Sequence, residues 1–171
     1  PRRRPEQGQR RSHSGQGGVG FLLLPQFPVY LANGRLQRFA VRFLPLDFPE
    51  QTVTLADALR ARFPDIKVFR GCELVSADGL SPAAEKAVLD SLSGYDLVVF
   101  AGGVSPRLEG EEMPVVLPGF RGGDRTDIQL PAVQRQLLQA LHDAGKKVVL
   151  VNFSGSAVGL VPETESCDAI L

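Results

Sequence analysis

The chain contains few of the residues that build metal centres and disulfide frameworks. Its 171 residues include two cysteines, two histidines, one methionine and no tryptophan. Cys72 and Cys167 are isolated from each other, and His13 and His142 have no partner at the spacing of metal ligands. The sequence therefore predicts neither a disulfide framework nor a zinc site, and we expect no metal and no cofactor.

Long apolar runs are also absent. The run from residue 21 to residue 31 is interrupted by Pro25 and Pro28, and it is far shorter than the roughly 20 apolar residues that a membrane span requires. No small-residue cleavage site follows it cleanly, as a secretion signal would need. We expect no membrane partner, and the compartment stays open between periplasmic, secreted and cytoplasmic.

Positive charge is concentrated at the amino terminus. Residues 1–48 contain eight arginines, no lysine and two acids, whereas the rest of the chain has more acids than bases. Arginine runs without interleaved aromatic residues or a motif to present them do not predict a nucleic-acid site. Glycine and proline interrupt this stretch every few residues, so we expect disorder over residues 1 to about 20.

Residues 15–20, GQGGVG, have the spacing of the dinucleotide-binding glycine motif. That motif requires a preceding strand, a following helix and an acid about 20 residues further on. No strand is predicted before it, Pro25 interrupts any helix after it, and the acid is missing. We do not interpret it as a nucleotide site.

From residue 52 onward, helical and strand patterns alternate. Helices are predicted over 54–63, 82–93 and 132–144, and strands over 66–69, 96–101 and 148–153, with a further strand opening at 168. Such alternation predicts an α/β fold, a three-layer sandwich around a mostly parallel, flavodoxin-like sheet. Because the last strand has only begun at residue 171, we expect the sheet to be truncated at the C-terminus.

A charged loop follows the apolar strand at 96–101. Carboxyl ends of parallel strands are where open α/β sheets bind ligands. A long loop that mixes prolines and apolar anchors with charge predicts an ordered functional loop, and the alternative is a solvated acidic turn. Asn152, Ser154 and Ser156 follow the next apolar strand, and they either line the same edge or bond the backbone of their turn.

Three segments of this loop resemble a known family. SPRLEGEEM at 105–113, GGDRTDI at 122–128 and LPAVQ at 130–134 are similar, in this order, to the C-terminal α/β-sandwich domain of glycoside hydrolase family 3, and most similar to its bacterial β-xylosidase and β-glucosidase branch. The resemblance covers about residues 49–171, a partial domain. Residues 1–48 show no resemblance and are interpreted as an irregular, partly disordered segment that lacks the family's first strand.

The resemblance implies a retaining β-glycosidase that acts on small β-xylosides or β-glucosides. Such enzymes use two carboxyl groups about 5 to 5.5 Å apart, one ionised and one protonated. In the family, the nucleophilic aspartate belongs to an N-terminal barrel domain and the acid/base glutamate to the C-terminal domain. This chain would therefore supply half of an active site, need the barrel domain as its partner, and be inactive alone.

Three glutamates are candidates for the acid/base. Glu111 is the first choice, because its Glu-Gly-Glu context fits the family best, and Glu109 and Glu112 are second and third. Clustered carboxylates raise one another's pKa, as a proton donor at neutral pH requires. The two that do not act as the acid would pair with a loop arginine or face water. Weaker candidates for substrate contacts are Arg107, Asp124 and Arg125.

Asp124 and Arg125 have a second interpretation, as the anchor of a helix that starts near Asp127. Two other functions for the whole domain also stay open. It is a non-catalytic carbohydrate-binding accessory domain if no loop glutamate reaches a sugar. A nucleotide-binding flavodoxin-like domain is disfavoured, because phosphate would meet three carboxylates instead of backbone amides and a lysine.

Overall fold

The computed structural model describes residues 18–23, 30–32, 52–110 and 112–171. Strands and helices follow one another in the order β1 (Gly18–Leu23), β2 (Tyr30–Ala32), β3 (Thr52–Thr54), α1 (Leu55–Arg62), β4 (Lys67–Arg70), α2 (Pro82–Ser91), β5 (Tyr95–Gly103), β6 (Val116–Leu117), β7 (Phe120–Arg121), β8 (Asp124–Arg125), α3 (Ala132–Asp143), β9 (Lys147–Phe153), α4 (Glu163–Ser166) and β10 (Ala169–Ile170).

A five-stranded parallel sheet forms the centre of the domain. Its spatial order is β4, β1, β5, β9, β10, and every neighbouring pair is parallel. Along the chain, the strands of this sheet follow one another as β1, β4, β5, β9 and β10. The first of them, β1, lies between the next two, β4 and β5, which is the strand order of flavodoxin-like sheets. The predicted α/β class with its parallel sheet is confirmed.

Strand β1 corrects the prediction for the amino-terminal segment. Residues 1–48 were expected to lack a first strand, but Gly18–Leu23 pairs with β4 on one edge and with β5 on the other. The glycines at 18 and 20 lower the local strand propensity, and hydrogen bonding along both edges outweighs it. Half of the glycine motif therefore lies inside a strand instead of in a strand-to-helix turn. Residues 1–17 lie outside the described part of the chain.

The helices cover the sheet in layers. Helices α2, α3 and α4 pack against one another in sequence, which places them on one face. In the sheet, the step from β1 to β4 goes in the opposite direction to the later steps from β4 to β5, β9 and β10. Because crossovers between parallel strands are right-handed, α1 lies on the other face of the sheet. None of the described helices combines the length and apolar character needed to cross a membrane.

Local signals start the helices where the sequence predicts them. The Thr54 hydroxyl accepts a hydrogen bond from the Asp57 backbone N–H at 3.0 Å and so caps α1. Ser81 caps α2 by accepting from the Ala84 N–H at 3.2 Å, with Pro82 in the first turn. Such caps satisfy backbone donors that have no partner inside the helix.

Apolar side chains of α3 and of the adjacent strands β5 and β9 form most of the core. Because burial of one large apolar side chain contributes about 1.5–3 kcal/mol, this layer is the main source of stability. The largest fully buried apolar residues are Leu92, Phe100, Leu130, Leu137, Leu138, Leu141 and Leu150.

Helix α4 buries a carboxylate against α3. The Glu163 side chain is 1% exposed, and its Oε1 lies 3.4 Å from Nε of Arg135. Its Oε2 has no hydrogen-bond partner in the described part of the chain. Burial raises the pKa of the Glu163 carboxyl above its ordinary value of 4.5, although a backbone hydrogen bond and Arg135 act in the opposite direction.

This carboxyl should make the stability of the chain depend on pH. Between the ordinary and the raised pKa, the folded state keeps a proton that the unfolded state has released. The free energy of unfolding therefore falls as pH rises through that window, by at most about 1.4 kcal/mol per pH unit for one group. We expect Glu163→Gln to remove this component of the slope in urea unfolding measured from pH 4.5 upward.

The neighbouring exposed Glu165 on α4 provides a matched control. Glu165→Gln should leave the slope as it is in the unmodified chain. An unchanged slope in the Glu163→Gln variant would contradict the assignment of the raised pKa to this carboxyl.

Candidate functional site

The charged loop leaves the sheet at the end of β5 and folds into a small antiparallel meander. Strand β7 pairs with β6 on one side and with β8 on the other. Leu108 and Phe120 are buried and attach the loop to the core. The loop therefore contains regular structure and apolar anchors, as its mixture of apolar and charged residues predicts.

Backbone hydrogen bonds hold the glutamate segment against the turn between β7 and β8. The Gly110 N–H donates to the Gly123 carbonyl at 3.2 Å, and the Met113 N–H donates to the Gly122 carbonyl at 3.0 Å. A Cβ atom on Gly123 would lie 1.8 Å from the Gly110 carbonyl oxygen, so only glycine allows this approach. The glutamate segment thus lies directly beside the segment that carries Asp124 and Arg125.

Glu109 is held by two groups from different parts of the chain. Its Oε1 lies 3.4 Å from Nε of Arg125. The Ser156 hydroxyl lies 2.7 Å from Oε1 and 2.9 Å from Oε2 and donates to the carboxylate. Both charged side chains are largely buried, with 13% of Arg125 and 19% of Glu109 exposed. The loops that follow the adjacent strands β5 and β9 are therefore joined through this carboxylate.

Arg125 also donates hydrogen bonds to three backbone carbonyls in and next to the loop. Its guanidinium donates to the carbonyls of Asp127 at 3.0 Å, Gln129 at 2.7 Å and Ala157 at 3.2 Å. Its central carbon lies 5.8 Å from the centre of the Phe120 ring, within cation–π range. Because so many of its donors are used inside the domain, the contacts of Arg125 favour an anchoring role over a substrate contact.

The helix predicted over 132–144 is confirmed, but the interpretation of Asp124 and Arg125 as the anchor of a helix that starts near Asp127 is wrong. Helix α3 begins at Ala132, after Pro131. The Asp127 carboxylate instead accepts a hydrogen bond from the Gln129 N–H at 3.0 Å, two residues along. Aspartate forms this kind of side-chain turn as readily as it caps a helix, so the sequence pattern did not distinguish the two.

The three candidate glutamates have different surroundings. Glu109 is bound as described above. Glu112 is exposed and has a left-handed backbone with φ of 50°, which is uncommon for a residue other than glycine. Glu111, the first candidate, lies outside the described residues. Arg107 is exposed, and no ion pair joins it to Glu109 or Glu112.

A cleft of about 590 Å³ opens beside this cluster. Its volume is in the range of small-molecule sites. Arg107 is not part of its wall. Ser154 stays in the turn, where its hydroxyl donates to the Ser156 carbonyl at 2.9 Å. The main lining residues are Glu109, Asp124, Arg125, Ile128, Ser156 and Ala157.

Gln134 is fully buried in α3 and was not among the predicted site residues. Its amide hydrogen-bonds the backbone at the end of β5 and in the segment after β4. The available signal was its position, because Gln134 shares the apolar stripe of the helix with Leu137, Leu138 and Leu141. A polar residue on a buried face is there to bind another buried polar group.

The part of the chain that the structure describes contains no set of side chains that could bind a metal ion. No group of three or more histidine, cysteine, aspartate or glutamate side chains is placed to hold a metal ion there.

The fold and the site together define a flavodoxin-like α/β domain with a charged cleft at the carboxyl ends of two adjacent parallel strands. Over residues 28–171 the chain matches the model of the glycosyl hydrolase family 3 C-terminal domain, and it belongs to this family. The resemblance predicted from the loop motifs is thereby confirmed, and the match begins at residue 28 instead of at about residue 49.

Two named relatives are also similar to this chain. The chain is 45% identical over 128 residues to a xylan 1,4-β-xylosidase of Xylanibacter ruminicola, covering 72% of this chain and 15% of that enzyme. It is 31% identical over 116 residues to the periplasmic β-glucosidase of Salmonella typhimurium, covering 59% of this chain and 15% of that enzyme. The chain thus spans less than a fifth of the length of these relatives.

A solved structure shows the same fold. The β-glucosidase from Listeria innocua in complex with isofagomine aligns with a TM-score of 0.62 at 22% identity, covering 90% of this chain and 18% of that one. At this level of identity, the likeness concerns the fold alone.

The anchoring role of Arg125 predicts a loss of stability on its removal. Arg125→Met leaves a largely buried carboxylate without its cation and three carbonyls without donors, so we expect the free energy of unfolding to fall by about 1–3 kcal/mol. Urea unfolding of the chain measures this. Arg121→Met, at an exposed position in the same meander, should change it by less than about 0.5 kcal/mol. Equal effects at the two positions would contradict the anchoring role.

Proposed function

We propose that this chain is the part of a retaining β-glycosidase that supplies the general acid/base glutamate to an active site completed by a separate barrel domain. The observation that carries the proposal is the charged cleft at the carboxyl ends of β5 and β9, beside the glutamate segment of the loop. The chain spans less than a fifth of its named relatives, which leaves room for a second domain.

The chemistry requires a division of labour between two carboxyl groups. The nucleophile, an aspartate of the barrel domain, attacks the anomeric carbon while the acid donates its proton to the departing oxygen. The same glutamate, now ionised, then removes a proton from the water that hydrolyses the glycosyl-enzyme intermediate. The substrates we propose are small β-xylosides or β-glucosides, in line with the names of the two curated relatives.

Glu111 is our choice for the acid/base. A general acid must present an uncommitted O–H to the leaving oxygen within hydrogen-bonding distance. Both carboxylate oxygens of Glu109 already contact Ser156, and Oε1 also faces Arg125, so these contacts favour a supporting role for Glu109. Glu112 is exposed in the described structure and remains the further alternative.

A second candidate function has one observation in its favour. Within the described residues, Glu109 is the only one of the loop glutamates that lines the cleft, and its carboxylate is engaged by the domain itself. A non-catalytic, carbohydrate-binding accessory domain would have such a cleft without an available proton donor. In that case the isolated chain would bind a sugar, and Glu111→Ala would leave hydrolysis by any attached enzyme unchanged.

The test compares the isolated chain with the complete enzyme, meaning this chain joined to a barrel domain. The complete enzyme should hydrolyse aryl β-xylosides or β-glucosides and depend on Glu111, whereas the isolated chain should show no turnover because it lacks the nucleophile. Turnover by the isolated chain that a substitution within it removes would overturn the shared active site. Full activity of the complete enzyme without Glu111 would favour the accessory function or another acid.

A further inference from the structure

Gln134 makes a hydrogen bond with every polar atom of its amide while fully buried in the first turn of α3. Its Oε1 accepts from the Gly103 N–H at 2.9 Å. Its Nε2 donates to the Gly103 carbonyl and to the Leu74 carbonyl, both at 2.8 Å. A buried amide that is satisfied in this way fixes one arrangement of the groups around it, because any displacement leaves a polar group unpaired.

Two of these bonds hold the residue at which the charged loop leaves β5. The side-chain amide pairs with both the N–H and the carbonyl of Gly103, as a neighbouring strand would. Gly103 has φ of 136°, a conformation open to glycine, and the next N–H, of Val104, donates to the Phe153 carbonyl at 2.9 Å. Gln134 therefore determines the orientation of the peptide from which the loop starts.

The third bond reaches the segment that follows β4. Strand β1 lies between β4 and β5 in the sheet, so the contact with Leu74 brings this segment past the end of β1 to the end of β5. Leu74 itself is 3% exposed. One side chain thus ties together α3, the end of β5 and the segment after β4, all at the edge of the sheet that carries the cleft.

We propose that Gln134 is a positioning residue for glycoside cleavage. It fixes the direction in which the charged loop leaves β5 and so holds the acid/base glutamate at its working distance from the leaving oxygen. This inference rests on the proposed function. Misplacement of a catalytic group by about 1 Å costs about 10²-fold in rate. Gln134, which binds the residue at which the loop leaves β5, therefore affects catalysis without touching the substrate.

The experiment uses the complete enzyme and two substrates, a glycoside with a poor leaving group and one with an activated phenol. Gln134→Met keeps the length of the side chain and removes all three hydrogen bonds, while Gln134→Glu keeps an acceptor for the Gly103 N–H and leaves at most one O–H donor for the two carbonyls. We expect kcat/KM, which reports the step in which the leaving group departs, to fall about 10- to 100-fold more for the poor leaving group than for the activated phenol.

Gln136→Met is the matched control. Gln136 lies on the same helix and also binds the segment after β4, accepting from the Leu80 N–H at 2.7 Å, but it is exposed and does not contact Gly103. This variant should leave the ratio of the two rates unchanged. If Gln134→Met does not fold, the outcome is decided on Gln134→Glu.

The outcomes separate the positioning role from the function beneath it. Equal loss for both substrates in the Gln134 variants, with Glu111→Ala still selective for the poor leaving group, overturns the positioning role alone. No selectivity in any of Glu109→Gln, Glu111→Ala and Glu112→Ala overturns the proposed function and the positioning role with it. If Glu111→Ala and the Gln134 variants are selective for the poor leaving group and Gln136→Met is not, the result supports both the proposed function and the positioning role.

Discussion

Glu111→Ala in the complete enzyme is expected to slow cleavage of glycosides with poor leaving groups by about 10²–10⁴-fold, the usual contribution of general acid catalysis. Activated phenols leave without protonation, so the first step on those substrates should change much less. The measurement is kcat/KM, which reports the step in which the leaving group departs, for a series of aryl and alkyl glycosides, and its expected result is a steep dependence on the leaving group that the unmodified enzyme does not show.

Azide provides a second, independent readout of the same variant. If Glu111 is the acid/base, its loss also removes the base that activates water in the second step, and it leaves a space that a small anion can enter. Added azide should therefore accelerate Glu111→Ala on the activated substrate and yield a glycosyl azide. The unmodified enzyme should not respond in this way.

Glu109→Gln and Glu112→Ala are the controls for this assignment. Glutamine at 109 keeps a hydrogen-bonding group beside Ser156, so it avoids the gross disturbance that alanine would cause at a largely buried position. Neither variant should show the leaving-group dependence or the azide response. If Glu109→Gln shows both and Glu111→Ala shows neither, the acid/base is Glu109, and its bond to Ser156 must open during catalysis.

The fold was predictable where its signals are local. The apolar runs of β5 and β9, the helical stripe of α3 and the caps at Thr54 and Ser81 lie within short windows of sequence. Strand β1 is different, because its stability comes from two neighbours that lie more than 40 residues further along the chain. Sequence windows contain no information on such pairing, and the glycines at 18 and 20 suggested the opposite.

The site was predictable in its place and not in its contacts. The charge of the loop and its position after an apolar strand indicated the carboxyl edge of the sheet, where the cleft lies. The partner of Glu109 could not be read in the same way, since Ser156 is 47 residues away in sequence. Three glutamates and three arginines in one loop allow many pairings, and the meander selects one of them through backbone hydrogen bonds.

Gly103→Ala is expected to have the largest effect on the stability of the chain. A Cβ atom at this position would lie 1.9 Å from the carbonyl oxygen of Phe153 and 2.5 Å from its carbonyl carbon. Both are backbone atoms at the end of the adjacent strand β9, so the clash cannot be relieved by rotating a side chain. The φ of 136° is itself unfavourable for alanine.

The consequence should be a loss of more than about 4 kcal/mol in the free energy of unfolding, which is exceptional for one substitution, or a chain that does not fold. Urea unfolding followed by circular dichroism measures it. Gly155→Ala is the control, since a Cβ there meets no atom within 4 Å, and it should change the free energy by less than about 0.5 kcal/mol. Unchanged stability of Gly103→Ala would mean that the ends of β5 and β9 lie further apart than described. The start of the charged loop would then be free to move relative to Ser156, and the cleft would have no fixed geometry.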